Sequence, residues 1–256
     1  MSVFMSVFAD LVGNFADLLQ PVFHHGAAAA AIILFTLLVR LAIHPLSRAS
    51  ARGQKARSRL APQIAELRKK HAKDPERMKK ALMELHTAEK VSPLSGCLPS
   101  LLQMPAFFLM YHLFSRSEIG GRANELLGHS LFAAPLHGRW ADALAHGGLF
   151  GPAGAVYAVL FAIVAGVATF NYRRMKRQMA AAPAPATPAG PDGQQVAGLA
   201  TMMKFMPLMS FATLFTVAVV PLAAALYVVT STTWTAAERY FLYRDMPLAG
   251  ALASPV

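Results

Sequence analysis

Charge is scarce in this sequence. Only 14% of the 256 residues are Asp, Glu, Lys or Arg, while 55% are hydrophobic; an ordinary soluble domain carries roughly a quarter charged residues. A water-soluble globule is therefore a poor reading, and a membrane is a good one. Cysteine is nearly absent too. The single Cys97 excludes an internal disulfide and belongs to no metal-ligand spacing, so it reads as a small packing residue. Basic residues are missing from the first 39 positions, and the first is Arg40, deep inside an apolar run. A secretory leader needs basic residues ahead of its apolar run, so the first span is expected to be retained.

The apolar residues gather into five runs, each about long enough for a hydrocarbon core of roughly 30 Å. They predict spans at 27–46, 94–116, 152–172, 203–219 and 221–242, the fourth being the shortest. Of the 24 basic residues 19 fall on one side of such an arrangement: 13 within 47–93, four at Arg173, Arg174, Lys176 and Arg177, and then Arg239 and Arg244. Residues 1–26 have none, and the 117–151 loop has only Arg122 and Arg139. Because Lys and Arg mark cytoplasmic loops, the N-terminus is expected outside and the 243–256 tail in the cytoplasm.

Between the spans the pattern changes. Phe8, Leu11, Val12, Phe15, Leu18, Leu19 and Val22 recur at helical spacing opposite Asp10, Asn14 and Asp17, which predicts an amphipathic helix over 1–26 on the outer surface. Residues 47–93 predict a basic cytoplasmic helical hairpin. Leu60, Ile64 and Leu67 stripe one arm, and Met78, Leu82 and Leu85 stripe the other. Asp74 and Pro75 suit the cap and first turn of the second arm, and Pro62 is expected to kink or divide the first. In the 173–202 loop, the Pro, Ala and Gly of 180–193 read as a mobile linker. Ala155, Ala158, Ala162, Ala165 and Thr169 are expected to let a neighbouring helix approach the third span, and Trp140 to anchor the outer loop at the interface.

Arg40 is the most informative residue. An arginine near the centre of a lipid-facing helix costs about 2.5–3.5 kcal/mol on insertion scales. Counted from Ala27, it lies about 20 Å into its span, in the cytoplasmic half. At that depth it can snorkel to the headgroups or face a wet recess. Thr36, Arg40, His44 and Ser47 share one helical face, which favours the recess. Gln103, Ser210, Thr213, Thr216, Tyr227, Thr230, Ser231 and Thr233 supply polar positions on other spans. The bland reading of each Ser or Thr is a bond to its own backbone carbonyl. Every Asp and Glu lies in a loop, a terminus or, for Glu238, near the inner end of the last span, so the charge of Arg40 is expected to be available to a passing acidic group.

No catalytic set, metal site or cofactor is expected. The adjacent His24 and His25 do not share a helical face, and no Ser in a span has a His or Lys at motif spacing. A small-solute carrier or channel is the alternative class, favoured by internal inverted repeats, which the sequence does not display.

Three segments resemble the YidC/Oxa/Alb family of membrane protein insertases. They are Leu38-Val39-Arg40 through His44-Pro45-Leu46, then residues 88–114 with Gly96-Cys97, Pro99, Gln103 and Pro105, and finally Met203 to Pro207 followed by Pro221, Leu226-Tyr227 and Tyr243-Arg244. The resemblance implies an all-α integral membrane protein with five transmembrane helices, a cytoplasmic helical hairpin and an outer amphipathic N-terminal helix, in a short form without a large outer domain. It implies that client segments pass into lipid along a hydrophilic groove of Arg40, Thr36, Gln103, Tyr227, Thr230 and Ser231. Implied partners are nascent membrane-protein clients and the lipid bilayer, with a ribosome, targeting factor or Sec-type channel as further candidates; the net +8 of the hairpin suits ribosomal RNA, a targeting factor or anionic lipids, and equally a solvated positive-inside stalk. No cofactor, DNA or small-molecule substrate is implied. Ala223, Thr232 and Glu238 depart from the usual Gly, Asn and Gln, and the absence of Lys and Arg from 245–256 weakens tail-mediated ribosome binding.

Overall fold

The computed structural model describes residues 2–71, 74–89, 108, 111–114, 116, 118–119, 122–181 and 205–244. Helix α1, Ser2–Phe23, forms where the apolar period requires it. Its apolar side divides. Val12 and Ala16 are buried and Phe15 and Leu19 pack against the core, while Leu11, Leu18 and Val22 stay exposed. A short 3-10 turn over His24–Gly26 leads into α2, Ala27–Arg59, which is one continuous 33-residue helix. The expected end of the first span near residue 46 is therefore not a break in structure. Pro45 lies inside the helix, and the polar stretch beyond it continues the same helical path.

Pro62 divides the hairpin arm, as its chemistry demands. Helix α2 stops at Arg59, and α3, Ala61–Lys70, starts with that proline in its first turn, where the missing N–H costs nothing. Helix α4, Pro75–Ala88, opens on Asp74, whose carboxylate accepts from the Arg77 backbone N–H at 3.0 Å. The half-buried stripes of α3 and α4, with Met78, Leu82 and Leu85 on α4, pack the two helices together.

The described part of the loop ahead of residue 152 is more ordered than its sequence suggests. Strands β1, Glu118–Ile119, and β2, Arg122–Ala123, form one small antiparallel hairpin, and β3, Ser130–Leu131, and β4, Ala134–Pro135, form another. The fold is thus mostly helical with two short β-hairpins. Asn124 holds the loop together: it is buried, and its side-chain amide donates to the carbonyls of Leu113 at 2.8 Å and Arg116 at 3.0 Å. Helix α5, Trp140–Ala145, follows. Trp140 packs edge-on against Phe161 at 5.2 Å and tilted against Tyr157 at 5.6 Å, so its ring is engaged by protein.

Helix α6 runs Pro152–Ala181. Its packing face is Gly154, Tyr157, Leu160, Val164 and Ala168, whereas Ala155, Ala158 and Ala162 are exposed. The alanine stripe is therefore not the buried face among the described residues, because the larger side chains one position round the helix fill the core instead. Gly154 explains how α6 begins so close to the loop. A Cβ there would lie 2.4 Å from the Gly148 carbonyl oxygen and 2.6 Å from that of Leu149. Gly154→Ala is expected to lower the stability of the detergent-solubilised protein by about 1–3 kcal/mol, measured by thermal denaturation, with no change at the exposed Ala155→Ser control.

The fourth apolar run is a 3-10 segment, Met206–Phe211, continued by a short α7, Ala212–Val219. Helix α8, Leu222–Tyr243, completes the described chain. Its first N–H groups need partners, since a helix start leaves four donors unsatisfied. Leu222 and Ala223 donate to the loop carbonyls of Gly138 at 2.8 Å and Leu136 at 2.9 Å, and the Tyr157 hydroxyl donates to Gly138 at 2.7 Å. This seats α8 on the Leu136–Gly138 stretch of the loop.

Among the described residues two helices are long and apolar enough to cross a membrane, over Ala27–Ala56 and Pro152–Met179. Both carry exposed apolar stripes at helical spacing: Leu34, Leu38 and Leu41 on α2, and Val159, Ile163 and Phe170 on α6. Such surface is costly in water and favourable in lipid. The chain forms two compact units. One holds the residues up to Ile43, those from 108 to Phe170, and Ser210–Ala237, and contains the core of Val12, Ile32, Phe35, Phe114, Tyr157 and Leu222 to Val229. The other holds His44 to 89, Asn171 to 181, 205 to 209 and Glu238 to 244.

Candidate functional site

Thirteen residues into α2, the Arg40 side chain reaches α8. Its Nε donates to the Ser231 hydroxyl oxygen at 3.1 Å, and a terminal nitrogen of the same guanidinium donates to that oxygen as well. Ser231 is buried and also hydrogen-bonds the phenol of Tyr227, one turn earlier on α8, which lies in the field of the Arg40 charge. Arg40 itself is half-buried. The result is a cation joined to one hydroxyl-bearing side chain, Ser231, with a second, Tyr227, in its field, within the apolar core unit. Tyr227 has its ring tilted against Phe114 at 6.2 Å, which fixes the phenol where Ser231 can meet it.

The other expected residues fare differently. Thr36 is 1% exposed, and its hydroxyl donates to the Ile32 carbonyl at 2.6 Å, so it satisfies its own helix. Thr216, Thr232 and Thr235 do the same, donating to Ala212 at 3.3 Å, Val228 at 2.8 Å and Ser231 at 2.8 Å. Thr230 is half-buried next to Ser231 in the chain but about 100° away around the helix. Gln103 lies outside the described residues. The structure thus brings Arg40, Tyr227 and Ser231 together and leaves Thr36 apart, because a buried threonine hydroxyl finds its nearest acceptor one turn back on its own helix.

Sequence reasoning missed one pair. One turn beyond Arg40 on α2, His44 lies in the second unit, where its Nδ1 is 2.6 Å from Oε1 of Glu238. With Glu238 ionised, the Nδ1 proton must point at the carboxylate. The Glu238 side chain is only 9% exposed, so the imidazole supplies the partner that a carboxylate in such a place requires. The available signal was that Glu238 is the sole acidic residue of α8 and His44 shares the Arg40 face of α2.

What the first cluster can do chemically follows from its parts. A guanidinium bonded to a neutral hydroxyl keeps its positive charge, and that charge attracts a carboxylate. Among the described residues there is no group of three or more His, Cys, Asp or Glu able to hold a metal.

Comparison with known proteins agrees with the sequence resemblance. The family described as 60Kd inner membrane protein matches residues 19–249. A Clostridium perfringens protein named membrane protein insertase YidC is 38% identical over 115 residues, covering 44% of this chain and 48% of the relative. One of the same name from Magnetococcus marinus is 47% identical over 81 residues, covering 32% of this chain and 15% of the relative. That of Geobacter sulfurreducens is 37% identical over 108 residues, or 39% and 20%. The matched stretches thus span less than half the length of these relatives. With a family match over nearly the whole chain, and a mostly helical fold with two long apolar helices among the described residues, this chain belongs to the 60Kd inner membrane protein family, that of YidC and Oxa.

Proposed function

We propose that this protein is a membrane protein insertase and chaperone, guiding transmembrane segments of client proteins from the cytoplasm into the bilayer along a hydrophilic groove that carries Arg40. The observation that carries the reading is the Arg40 guanidinium, hydrogen-bonded to Ser231 with the Tyr227 phenol in its field, inside a largely apolar unit. A client helix gains free energy by entering lipid, and the obstacle is moving its polar or acidic flank across. A cation at mid-depth lowers that obstacle by meeting the flank partway. The chemistry needs no cofactor and breaks no bond. The names of the relatives support the same activity.

In this reading the chain crosses the membrane five times, at 27–46, 94–116, 152–172, 203–219 and 221–242, with the N-terminus outside. Helix α1 rests on the outer surface. The hairpin 47–93, with 13 basic and five acidic residues, faces the cytoplasm and meets a ribosome, a targeting factor, a Sec-type channel or anionic headgroups. Reconstitution of the purified protein alone into liposomes tests the activity: a single-span client should gain protease protection, and none above empty liposomes would refute it. Topology is tested by thiol labelling in a Cys97→Ser background. Lys79→Cys on exposed α4 should resist an impermeant reagent outside intact cells, and Ala133→Cys at the exposed loop turn should react. Asn124, buried and bonded, is no use as the outer probe.

A further inference from the structure

Past its apolar stretch, α6 carries Arg173, Arg174, Lys176 and Arg177, and the helix has no acidic residue anywhere in its length. The second unit sets the end of α8 against this stretch. Arg174 lies within the field of Arg239 on α8, and its guanidinium sits over the Tyr243 ring at 5.5 Å from the centroid. The ring lies against the half-buried cation and favours its charge. Lys176 is placed similarly, 6.0 Å from the Tyr172 ring.

Helix α6 supplies no carboxylate to offset this pair of arginines, and the one carboxylate on α8, Glu238, is in contact with His44, although its field also reaches Tyr243. Two guanidinium groups held near each other repel, and an anion between them turns that cost into attraction. We propose that Arg174, Arg239 and Tyr243 form a binding site for the phosphate of an anionic lipid headgroup.

A lipid fits better than a soluble phosphate because of what surrounds the cations. They follow directly on apolar helix, at the level where spans meet headgroups, and beside Arg239 the rings of Tyr240 and Phe241 stay 49% and 64% exposed, in contact with each other at 5.5 Å. Aromatic side chains at that level suit the glycerol and upper acyl region, while paired arginines accept phosphate oxygens. The proposal rests on α6 and α8 being membrane spans, and it does not depend on the insertase activity.

Native mass spectrometry of the full chain in detergent, titrated with phosphatidylglycerol or phosphatidylcholine, tests it. The wild type should retain phosphatidylglycerol preferentially, and Arg239→Gln should weaken retention about fivefold, with the Arg174→Gln, Arg239→Gln double variant losing more. Arg174→Lys with Arg239→Lys should keep part of it. Arg139→Gln, at an exposed position just before α5, should leave it unchanged. Undiminished retention by the Arg174 and Arg239 glutamine variants would overturn the site, as would an equal loss in the Arg139 variant. Displacement of the lipid by comparable concentrations of glycerol phosphate would overturn the lipid assignment in favour of a soluble phosphate. Since Arg239 is exposed, its single variant should fold even where the double does not. Liposome insertion assayed alongside keeps the two readings apart: wild-type retention without client insertion would sink the insertase and leave the lipid site standing.

Discussion

Arg40→Ala should cut insertion of a client with an acidic outer flank by about tenfold or more, Arg40→Glu should be worse, and Arg40→Lys should keep much of the activity. The magnitude follows from charge: opposite charges some 4 Å apart attract by about 4 kcal/mol at an effective dielectric of 20, and a third of that is worth a factor of ten in rate. A client with a neutral flank should suffer less from all three. Lysine retains the charge but not the planar fork that reaches Ser231 through both Nε and a terminal nitrogen, so its recovery should be incomplete. Ser231→Ala should give a smaller loss than Arg40→Ala, because it loosens the guanidinium without removing the charge. Were Arg40 only a headgroup anchor, its variants would lower protein level and show no dependence on client charge. Paired clients assayed at matched protein level decide the matter, and equal loss for both would sink the electrostatic reading.

His44→Leu should destabilise the protein more than Glu238→Leu does. The first strands a nearly buried carboxylate, whereas the second leaves an imidazole that is 35% exposed and can turn to water. A hydrogen bond to a charged group contributes about 1.5–3 kcal/mol, and removing the partner of a buried charge can cost more. Glu238→Gln should cost little, since the amide oxygen can still accept from Nδ1–H. The double variant His44→Leu, Glu238→Leu should recover much of the loss, giving a coupling of about 1 kcal/mol or more in a double-mutant cycle. Thermal denaturation in detergent measures all four proteins. Strictly additive effects would show that the 2.6 Å contact contributes nothing.

The pair also explains one departure in the sequence. A glutamate where glutamine is usual looks like a liability near the inner end of a span. Here it comes with a histidine 194 positions earlier in the chain that supplies a donor. Ala223 is fully buried, and its N–H is bonded to the outer loop, so the extra methyl is accommodated where α8 meets that loop. Nothing in the structure ties Thr232 to a special role beyond its bonds to Val228 and Val229.

The sequence by itself determined helix α1, the breaks at Pro62 and Asp74-Pro75, and the singling out of Arg40, while the expected span at 94–116 lies almost wholly outside the described residues. Those features are local or compositional: Pro62 and Asp74-Pro75 act within a turn of themselves, and an arginine inside an apolar run must be offset whatever the fold. Tertiary structure decided which polar residues meet. Ser231 and Tyr227 come to Arg40 from about 190 residues away, and His44 finds Glu238, because close approach depends on how helices rotate and pack rather than on spacing along either one. The same rotation put Tyr157, Leu160 and Val164 into the core and left Ala155, Ala158 and Ala162 outside, which small-residue spacing alone could not distinguish. Thr36 shows the converse: its residue type fitted a polar face, but once buried its hydroxyl had an acceptor 2.6 Å away on its own helix, and the shorter bond prevailed.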